Sequence, residues 1–319
     1  MDIEQYMDPE LRAAFMQMPE RHDNPIDWVA ERRRFSQERA VRQMEKPISN
    51  QMTIKDHNIT GPAGSPPVPI RIYTPSPKTA TLPGFLFIHG GGFTNGPLLQ
   101  DFDITCWHIV ENVGCVVVSV GYRLAPENPF PAGVEDCYAA LQWMASSAPY
   151  LGIDTEHIAV GGQSAGGGLA AAVTLMARDR KEFTPVFQLL LWACLDDRHT
   201  TPSSHAITDS RIWNRERSLC GWKAYLGNDY GGKVSPYAAP ARMEDLSGLP
   251  PAYIIVGGLD LLRDENIEYA TRLMQAGTST ELHVIPGAFH GFVRSVPTAS
   301  VSIRTASEYM EALKRALTL

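Results

Sequence analysis

The chain has 319 residues, of which 44% are hydrophobic and 20% are charged, and its formal net charge is −7. Such a composition is typical of a globular protein with a large core. The negative charge argues against nucleic acid as a partner, and no run of Lys and Arg is suited to an anionic membrane surface. The N-terminus is acidic without a signal-like apolar segment, and the apolar runs are too short to span a bilayer, so we expect a cytoplasmic protein without stable membrane insertion.

Residues 1–45 combine many charges with apolar side chains at helical spacing. Asn24 and Pro25 provide a cap and a first-turn proline, so a helix is predicted to begin there. One interpretation of this segment is a solvated amphipathic appendage. Because it has too few apolar residues for a core of its own, we instead predict that it packs against the aromatic segment 213–225.

From about residue 50, strand and helix patterns alternate. Strands are predicted at 52–59, 70–73, 84–88, 115–120, 157–160, 186–192, 252–256 and 281–285. A turn-rich stretch between the first two predicts an antiparallel pair. Helices predicted at 99–112, 133–147, 165–180, 264–276 and 299–317 indicate an α/β fold with a mostly parallel, eight-stranded sheet flanked by helices. The long interval from Asp196 to about Pro250 is predicted to contain short helices.

The five cysteines are odd in number and lack C-x-x-C or Cys/His zinc spacing. Most of them are therefore expected to be small hydrophobic side chains of the core, and no metal site is predicted from them. They are Cys106, Cys115, Cys137, Cys194 and Cys220.

A run of three glycines, 90–92, follows the predicted strand at 84–88 and lies between His89 and Phe93. Such a run leaves backbone N–H groups unshielded, and acyl-transfer enzymes need these donors where a carbonyl oxygen becomes negative. Taken alone, such a run favours a flexible turn. Upstream of a nucleophilic serine, the same run is interpreted as an oxyanion loop. We expect His89 itself to have a structural role.

Ser164 lies in Gly-Gln-Ser-Ala-Gly at 162–166, after a predicted strand and before a predicted helix. A Gly-x-Ser-x-Gly motif in this setting forms a sharp turn, the nucleophile elbow, which exposes the serine hydroxyl at the end of a strand. Glycines flank the serine because side chains there would collide with neighbouring backbone.

Asp260 and His290 each follow a later predicted strand, as Ser164 follows its own. In an open parallel sheet these strand ends converge on one crevice. The histidine can act as base and then as acid, with the carboxylate fixing its tautomer. Asp196 and Asp197 also follow a strand and are alternative acids, although we favour Asp260.

Two further pairs of charged residues are expected to have structural roles. Asp264 and Glu265 are predicted to begin a helix, where carboxylates favour the dipole. Arg123 and Glu127 are predicted to form a buried ion pair beneath the site.

With these residues in place, the chain resembles the hormone-sensitive-lipase-like family of α/β-hydrolase carboxylesterases over roughly residues 50–319. Ser164 as nucleophile, His290 as base and Asp260 as orienting acid follow from this resemblance, as do oxyanion donors from the backbone of Gly91, Gly92 and Ala165. One departure is Gln163, since the family usually has an acidic residue before the nucleophile. Further matching motifs are Tyr-Arg-Leu-Ala-Pro-Glu at 122–127, Phe-Pro-Ala at 130–132, Glu-Asp at 135–136, Ser-Pro-Tyr-Ala-Ala-Pro at 235–240 and Leu-Leu-Arg-Asp-Glu at 261–265.

The resemblance also implies a helical cap, formed by 1–45 and 196–235, over a catalytic domain of 46–195 and 236–319. Phe93, Trp213, Trp222 and Phe292 are candidates to line the substrate pocket. The expected activity is hydrolysis of short- to medium-chain carboxylic esters through an acyl-enzyme, without metal or organic cofactor, and family members are often homodimers. Hydrolysis of amides, lactones or carbamates on the same triad stays open, as does a non-catalytic small-molecule receptor.

Overall fold

A computed structural model describes residues 3–21, 26–44, 52–76, 80–96 and 99–318. In this part of the chain eight strands form one sheet in the order β1-β2-β4-β3-β5-β6-β7-β8. Pairing is antiparallel for β1 with β2 and for β2 with β4, and parallel elsewhere. The predicted fold class is therefore confirmed. The strands are β1 Met52–Ile59, β2 Val68–Pro75, β3 Leu82–Ile88, β4 Val116–Val120, β5 Ile153–Gln163, β6 Gln188–Leu191, β7 Ala252–Leu259 and β8 Thr280–Phe289.

Helices cover both faces of the sheet. The strand β4, Val-Val-Val-Ser-Val, is buried at every residue, which requires cover on each face and suits β-branched side chains. Helices α4 and α5 pack together against β5, whereas α3 packs on α10. The helices are α1 Pro9–Phe15, α2 Trp28–Met44, α3 Asp103–Val113, α4 Ala132–Leu151, α5 Ala165–Arg180, α6 Pro202–Ala206, α7 Arg215–Leu226, α8 Arg263–Gln275, α9 Phe292–Ser295 and α10 Ser300–Leu317.

None of the helices in the described ranges combines the length and the apolar character that a membrane span requires. The helix cap expected at Asn24 and Pro25 lies outside the described residues, as does the boundary expected near residue 45.

The first helix is anchored to the end of β8. Leu11 and Phe15 are fully buried, and the ring of Phe15 packs against Phe289 with centroids 6.1 Å apart. The backbone N–H of Asp8 donates to the carbonyl of Gly287 at 3.1 Å. This segment is thus part of the core, not a solvated appendage.

The second helix lies over the glycine-rich loop. Arg32 donates to the backbone carbonyls of Thr94 and Ala125, each at 2.7 Å, and pairs with Glu127 at 2.8 Å. Helix α2 therefore holds the loop that follows β3 from above. The expected buried pair between Arg123 and Glu127 is wrong, because α2 takes the carboxylate of Glu127.

Arg123 instead binds Asp136 of α4 through two contacts of 2.8 Å. The carboxylate of Asp136 is fully buried, and it also accepts the backbone N–H of Arg123 at 2.9 Å. The motif that follows β4 is fixed in this way onto the body of the sheet.

The interval after β6 contains the predicted short helices, α6 and α7, and α7 packs on the loop after β3. Its buried side chains Trp222 and Tyr225 contact Phe93, with ring centroids 5.0 and 4.1 Å away. The loop is therefore held by α2 and by α7, two elements far apart in the sequence.

Candidate active site

Ser164 occupies a strained turn between β5 and α5. Its backbone angles are φ 56° and ψ −123°, a region that side-chain-bearing residues rarely adopt. The turn lies so close to β3 that a Cβ on Gly166 would approach the carbonyl oxygen of Ile88 to 2.1 Å. Only glycine fits at position 166, because the backbone of β3 lies too close for a side chain. The turn holds the serine hydroxyl at the end of the strand.

The structure brings Ser164, His290 and Asp260 into one hydrogen-bonded chain. The Oγ of Ser164 lies 2.9 Å from Nε2 of His290. On the other side of the ring, Nδ1 lies 2.8 Å from Oδ2 of Asp260. Each residue stands at or just past the carboxyl end of a strand, β5, β7 or β8, as the topology requires. The arrangement suits removal of a proton from the serine by a histidine that the carboxylate orients.

Asp260 is held rigidly, and the alternative acids have other partners. Asp260 is 1% exposed, and its second oxygen accepts the backbone N–H of Leu262 at 2.9 Å. Asp196 binds Arg198 through two contacts of 2.7 Å. Asp197 binds Arg242 at 2.6 and 2.9 Å. Neither carboxylate is the one that contacts the histidine.

The glycine loop presents backbone donors beside Ser164. Gly91 and Gly92 have φ angles of 137° and 59°, and the carbonyl of Gly91 is turned back to accept the N–H groups of Thr94 and Asn95. In the described part of the chain, the N–H groups of Gly91 and Gly92 donate to no backbone carbonyl. The N–H of Ala165, at the start of α5, precedes the first intrahelical bond.

His89, at the start of this loop, is a packing residue. Its ring is fully buried and stacks between Phe102 and Tyr122, with centroids 4.6 and 4.2 Å away. The hydroxyl of Tyr122 donates to the carbonyl of His89 at 3.0 Å. The side chain supports the loop from below, in agreement with the structural role expected for it.

A cavity of about 540 Å³ opens at the triad, a volume in the range of small-molecule sites. Gly91, Gly92, Ser164 and His290 contribute to its walls. Of the four aromatic residues expected to line it, Trp213 does so. Its indole lies against Gly92 and has its centroid 6.2 Å from that of His290.

Phe93, Trp222 and Phe292 do not belong to the described lining of this cavity. They are at most 3% exposed and belong to the hydrophobic core. Phe93 and Trp222 pack on each other, and Phe292 packs against Trp192 with ring centroids 6.2 Å apart. The expectation that these three residues line the substrate pocket is therefore wrong. Their rings are buried in the core, where they stabilise the walls of the cavity.

Glu265 is a buried residue beneath the site whose role was not recognised in the sequence. It is in the first turn of α8, as predicted, but is only 3% exposed. Its carboxyl oxygen accepts the backbone N–H groups of Leu195 and Asp196 at 2.8 and 3.3 Å. Burial raises the pKa of this carboxyl well above its ordinary value. The sequence indicates only that an acidic residue lies at the start of a helix. That its side chain points inward and holds the backbone of another segment is known only from the structure.

The segment that Glu265 holds also supports the elbow. The N–H of Cys194 donates to the carbonyl of Ser164 at 3.0 Å, and its Sγ lies 3.7 Å from the serine Oγ. Burial raises the pKa of this thiol well above its ordinary value, so it is a neutral neighbour of the nucleophile. The other cysteines of the described chain are also free thiols. Cys106, Cys115 and Cys137 are buried, and Cys220 is partly buried.

Gln163, the residue before Ser164, is 5% exposed and lines the cavity. Its Nε2 has no hydrogen-bond partner among the described residues. The neutral amide leaves this position without the negative charge that an acidic residue would add beside the triad.

Among the residues that the structure describes, no group of three or more His, Cys, Asp or Glu side chains is arranged to hold a metal ion.

The chain is similar in sequence and in structure to known esterases. A family model described as the alpha/beta hydrolase fold matches residues 85–294. The chain is 40% identical over 251 residues to esterase LipI of Mycobacterium tuberculosis, covering 78% of this chain and 77% of that protein. Carboxylesterase NlhH of the same species is 35% identical over 281 residues, covering 87% and 88%. The structure of a bacterial heroin esterase superposes with a TM-score of 0.92 at 43% identity, covering 99% of both chains.

Proposed function

The chain belongs to the α/β-hydrolase-fold carboxylesterases, and on that premise we propose that it hydrolyses carboxylic esters through an acyl-enzyme formed on Ser164. The observation that carries this proposal is the continuous contact from Ser164 Oγ through His290 to Asp260, at 2.9 and 2.8 Å. His290 takes the proton of the serine as its oxygen attacks the ester carbonyl. The same ring then gives that proton to the departing alcohol, and water repeats the cycle on the acyl-enzyme.

The backbone N–H groups of Gly91, Gly92 and Ala165 are proposed to hold the oxyanion. They are fixed before substrate arrives, because the loop is packed between α2 and α7 and because Ala165 begins a buried helix. Donors that need no rearrangement during the reaction stabilise developing charge most effectively. Removing one such donor typically costs about a hundredfold or more in turnover.

Residues 1–45 and 196–235 are proposed to form a cap that closes the substrate site. Several contacts support this division. Glu31 of α2 and Arg217 of α7 are ion-paired across the cavity wall, and Arg211 lies 3.9 Å from the ring centroid of Phe15. A capped cavity of about 540 Å³ favours small esters with short to medium acyl chains, since overfilling costs more than the added apolar contact returns.

A covalent trap tests the acyl-enzyme. A para-nitrophenyl alkylphosphonate is expected to release about one nitrophenol per chain and leave a stable adduct, because the phosphonate mimics the tetrahedral intermediate. Intact-mass and peptide mass spectrometry locate the adduct. The proposal requires it on the peptide containing Ser164. An adduct on another serine, or hydrolysis of para-nitrophenyl butyrate that survives complete labelling, would contradict it.

Chain-length preference tests the position of Trp213. Its ring forms the cavity wall beside Gly92, so Trp213→Ala is expected to raise kcat/KM for octanoyl relative to butyryl para-nitrophenyl esters, by roughly tenfold. Trp143→Ala is the matched control, because Trp143 lies on α4 and lines a separate groove. The cap proposal would be undermined if both variants kept the wild-type profile.

A further inference from the structure

The segment that follows β6, residues 193–196, runs between the two helices that begin beside the triad. On one side lies α5, which begins directly after Ser164. On the other side lies α8, which begins at Arg263, shortly after Asp260. The residues of segment 193–196 are all buried. The segment therefore lies inside the protein between the nucleophile and the acid of the proposed triad.

Segment 193–196 contacts the nucleophile elbow directly. The backbone N–H of Cys194 donates to the carbonyl of Ser164 at 3.0 Å, and its Sγ lies 3.7 Å from the serine Oγ. The first turn of α5 packs closely on the segment, since a Cβ on Gly168 would approach the carbonyl oxygen of Cys194 to 1.9 Å. A displacement of the segment would therefore be transmitted to the backbone and side chain of Ser164.

Two adjacent side chains of α8 hold the segment from the other side. The carboxyl oxygen of Glu265 accepts the N–H groups of Leu195 and Asp196 at 2.8 and 3.3 Å. The amide of Asn266 accepts the N–H of Ala193 at 3.2 Å and donates to the carbonyl of Ala193 at 2.8 Å. Both side chains are at most 3% exposed. Loss of either one would leave buried backbone groups without a partner, which is costly away from water.

Glu265 makes its contacts in the neighbourhood of other acidic groups. Burial is the main cause that raises the pKa of its carboxyl well above the ordinary value. The negative charges of Asp196 and Asp260 raise it further, against the opposing effect of the two N–H groups. The adjacent thiol of Cys194 is also kept protonated by burial. The uncharged carboxyl is thus favoured, and in that form it holds the backbone without adding a negative charge near Asp260.

We propose that Glu265 and Asn266 are positioning residues that fix the nucleophile relative to the catalytic acid. Asp260 leads directly into α8, α8 holds segment 193–196, and that segment holds Ser164. This inference rests on the proposed ester hydrolysis and names side chains on which its rate depends. Neither of the two belongs to the described lining of the cavity, so they should affect the chemical step and not the binding of substrate.

Replacement of Glu265 by leucine and by glutamine tests the proposal on the complete chain. Leucine is similar in size but accepts no hydrogen bond, whereas glutamine keeps an uncharged acceptor oxygen. The readout is covalent labelling of Ser164 by a para-nitrophenyl alkylphosphonate, because its dependence on reagent concentration gives the rate constant of attack (kinact) and the binding constant (KI) separately. Glu265→Leu should lower kinact about a hundredfold with KI little changed, since a small misplacement of reacting groups has about this effect. Glu265→Gln should recover most of the loss.

Asn266→Ala displaces the same segment by a second route and decides the matter if the leucine variant does not fold. It removes both contacts to Ala193 but leaves those of Glu265 in place. We therefore expect a smaller loss in kinact, about tenfold, again with KI little changed. The value of kcat/KM for para-nitrophenyl butyrate should fall in parallel, because acylation of Ser164 is the step that both measurements share.

Asp103→Asn is the matched control for stability. Asp103 is also a buried carboxylate, which accepts the hydroxyl of Tyr73 at 2.6 Å and a guanidinium N–H of Arg71 at 2.9 Å. These partners lie on β2, in the antiparallel part of the sheet. The substitution should lower the melting temperature, because it weakens a buried ion pair, and should leave kinact at the wild-type value.

The possible outcomes separate this inference from the proposed function. Wild-type kinact in both Glu265→Leu and Asn266→Ala would overturn the inference and leave ester hydrolysis standing. A loss in Glu265→Gln as large as that in Glu265→Leu would also overturn it, since an acceptor oxygen would then not be sufficient. A fall of kinact in Asp103→Asn would show that loss of stability alone explains the effect. If the wild-type chain neither reacts with the phosphonate nor hydrolyses the ester, the proposed function fails and the inference with it.

Discussion

Ser164→Ala is expected to lower ester turnover by roughly a millionfold, because the triad acts as a unit and the nucleophile has no substitute within reach. The adjacent thiol of Cys194 lies 3.7 Å from the serine Oγ but is buried, and its raised pKa keeps it protonated. Steady-state release of nitrophenol from para-nitrophenyl butyrate measures the loss. Retention of more than about a tenth of the wild-type rate would move the nucleophile elsewhere.

Ser164→Gly is the matched control for stability. Both substitutions remove the hydroxyl, but only glycine adopts the φ of 56° without strain. The glycine variant should therefore unfold at a higher temperature than the alanine variant, by an amount corresponding to about 1 kcal/mol. Equal melting temperatures would show that the turn relaxes when the serine is replaced.

Asp260→Asn is the second substitution with a very large expected effect. The carboxylate accepts from Nδ1 of His290 at 2.8 Å and from the backbone N–H of Leu262 at 2.9 Å. An amide at this position favours the wrong tautomer of the histidine, so kcat should fall by roughly ten-thousandfold with little change in KM. Steady-state kinetics with a neutral para-nitrophenyl ester, at a pH where the wild-type rate is constant, give the two parameters separately.

Asp196→Asn and Asp197→Asn serve as its controls. Their carboxylates are buried and paired with Arg198 and Arg242, whose side chains are 41% and 28% exposed. Neutralising them should lower stability modestly, because the arginines can turn toward solvent, and should change kcat far less than Asp260→Asn does. A reversed order of effects on kcat would move the catalytic acid to the end of β6.

The sequence alone determined much of the fold, because the signals involved are local. A short, uninterrupted apolar run locates β4, and a stretch of small, apolar residues directly after the serine locates α5. Glycine at 162 and 166 marks the elbow, because any other side chain would collide with backbone nearby. The convergence of Ser164, Asp260 and His290 could also be anticipated, because carboxyl ends of parallel strands share one edge of the sheet.

The tertiary structure alone decided which side chains face the cavity. Phe93 and Trp222 are aromatic residues like Trp213, yet the first two are buried in the core and the third lines the site. Composition cannot distinguish these roles, since an aromatic ring gains as much from packing in the core as from contact with a ligand.

The partners of the charged side chains were likewise decided only by the tertiary structure. Glu127 pairs with Arg32 and Glu31 with Arg217, partners 95 and 186 residues away in the sequence. The local sequence pattern predicts that an acidic residue begins a helix, as at Glu265. It does not predict that this side chain turns inward and accepts a hydrogen bond from the backbone behind the nucleophile. An ion pair depends on the distance between two atoms in space, and only the packing of α2, α7 and α8 around the sheet sets that distance.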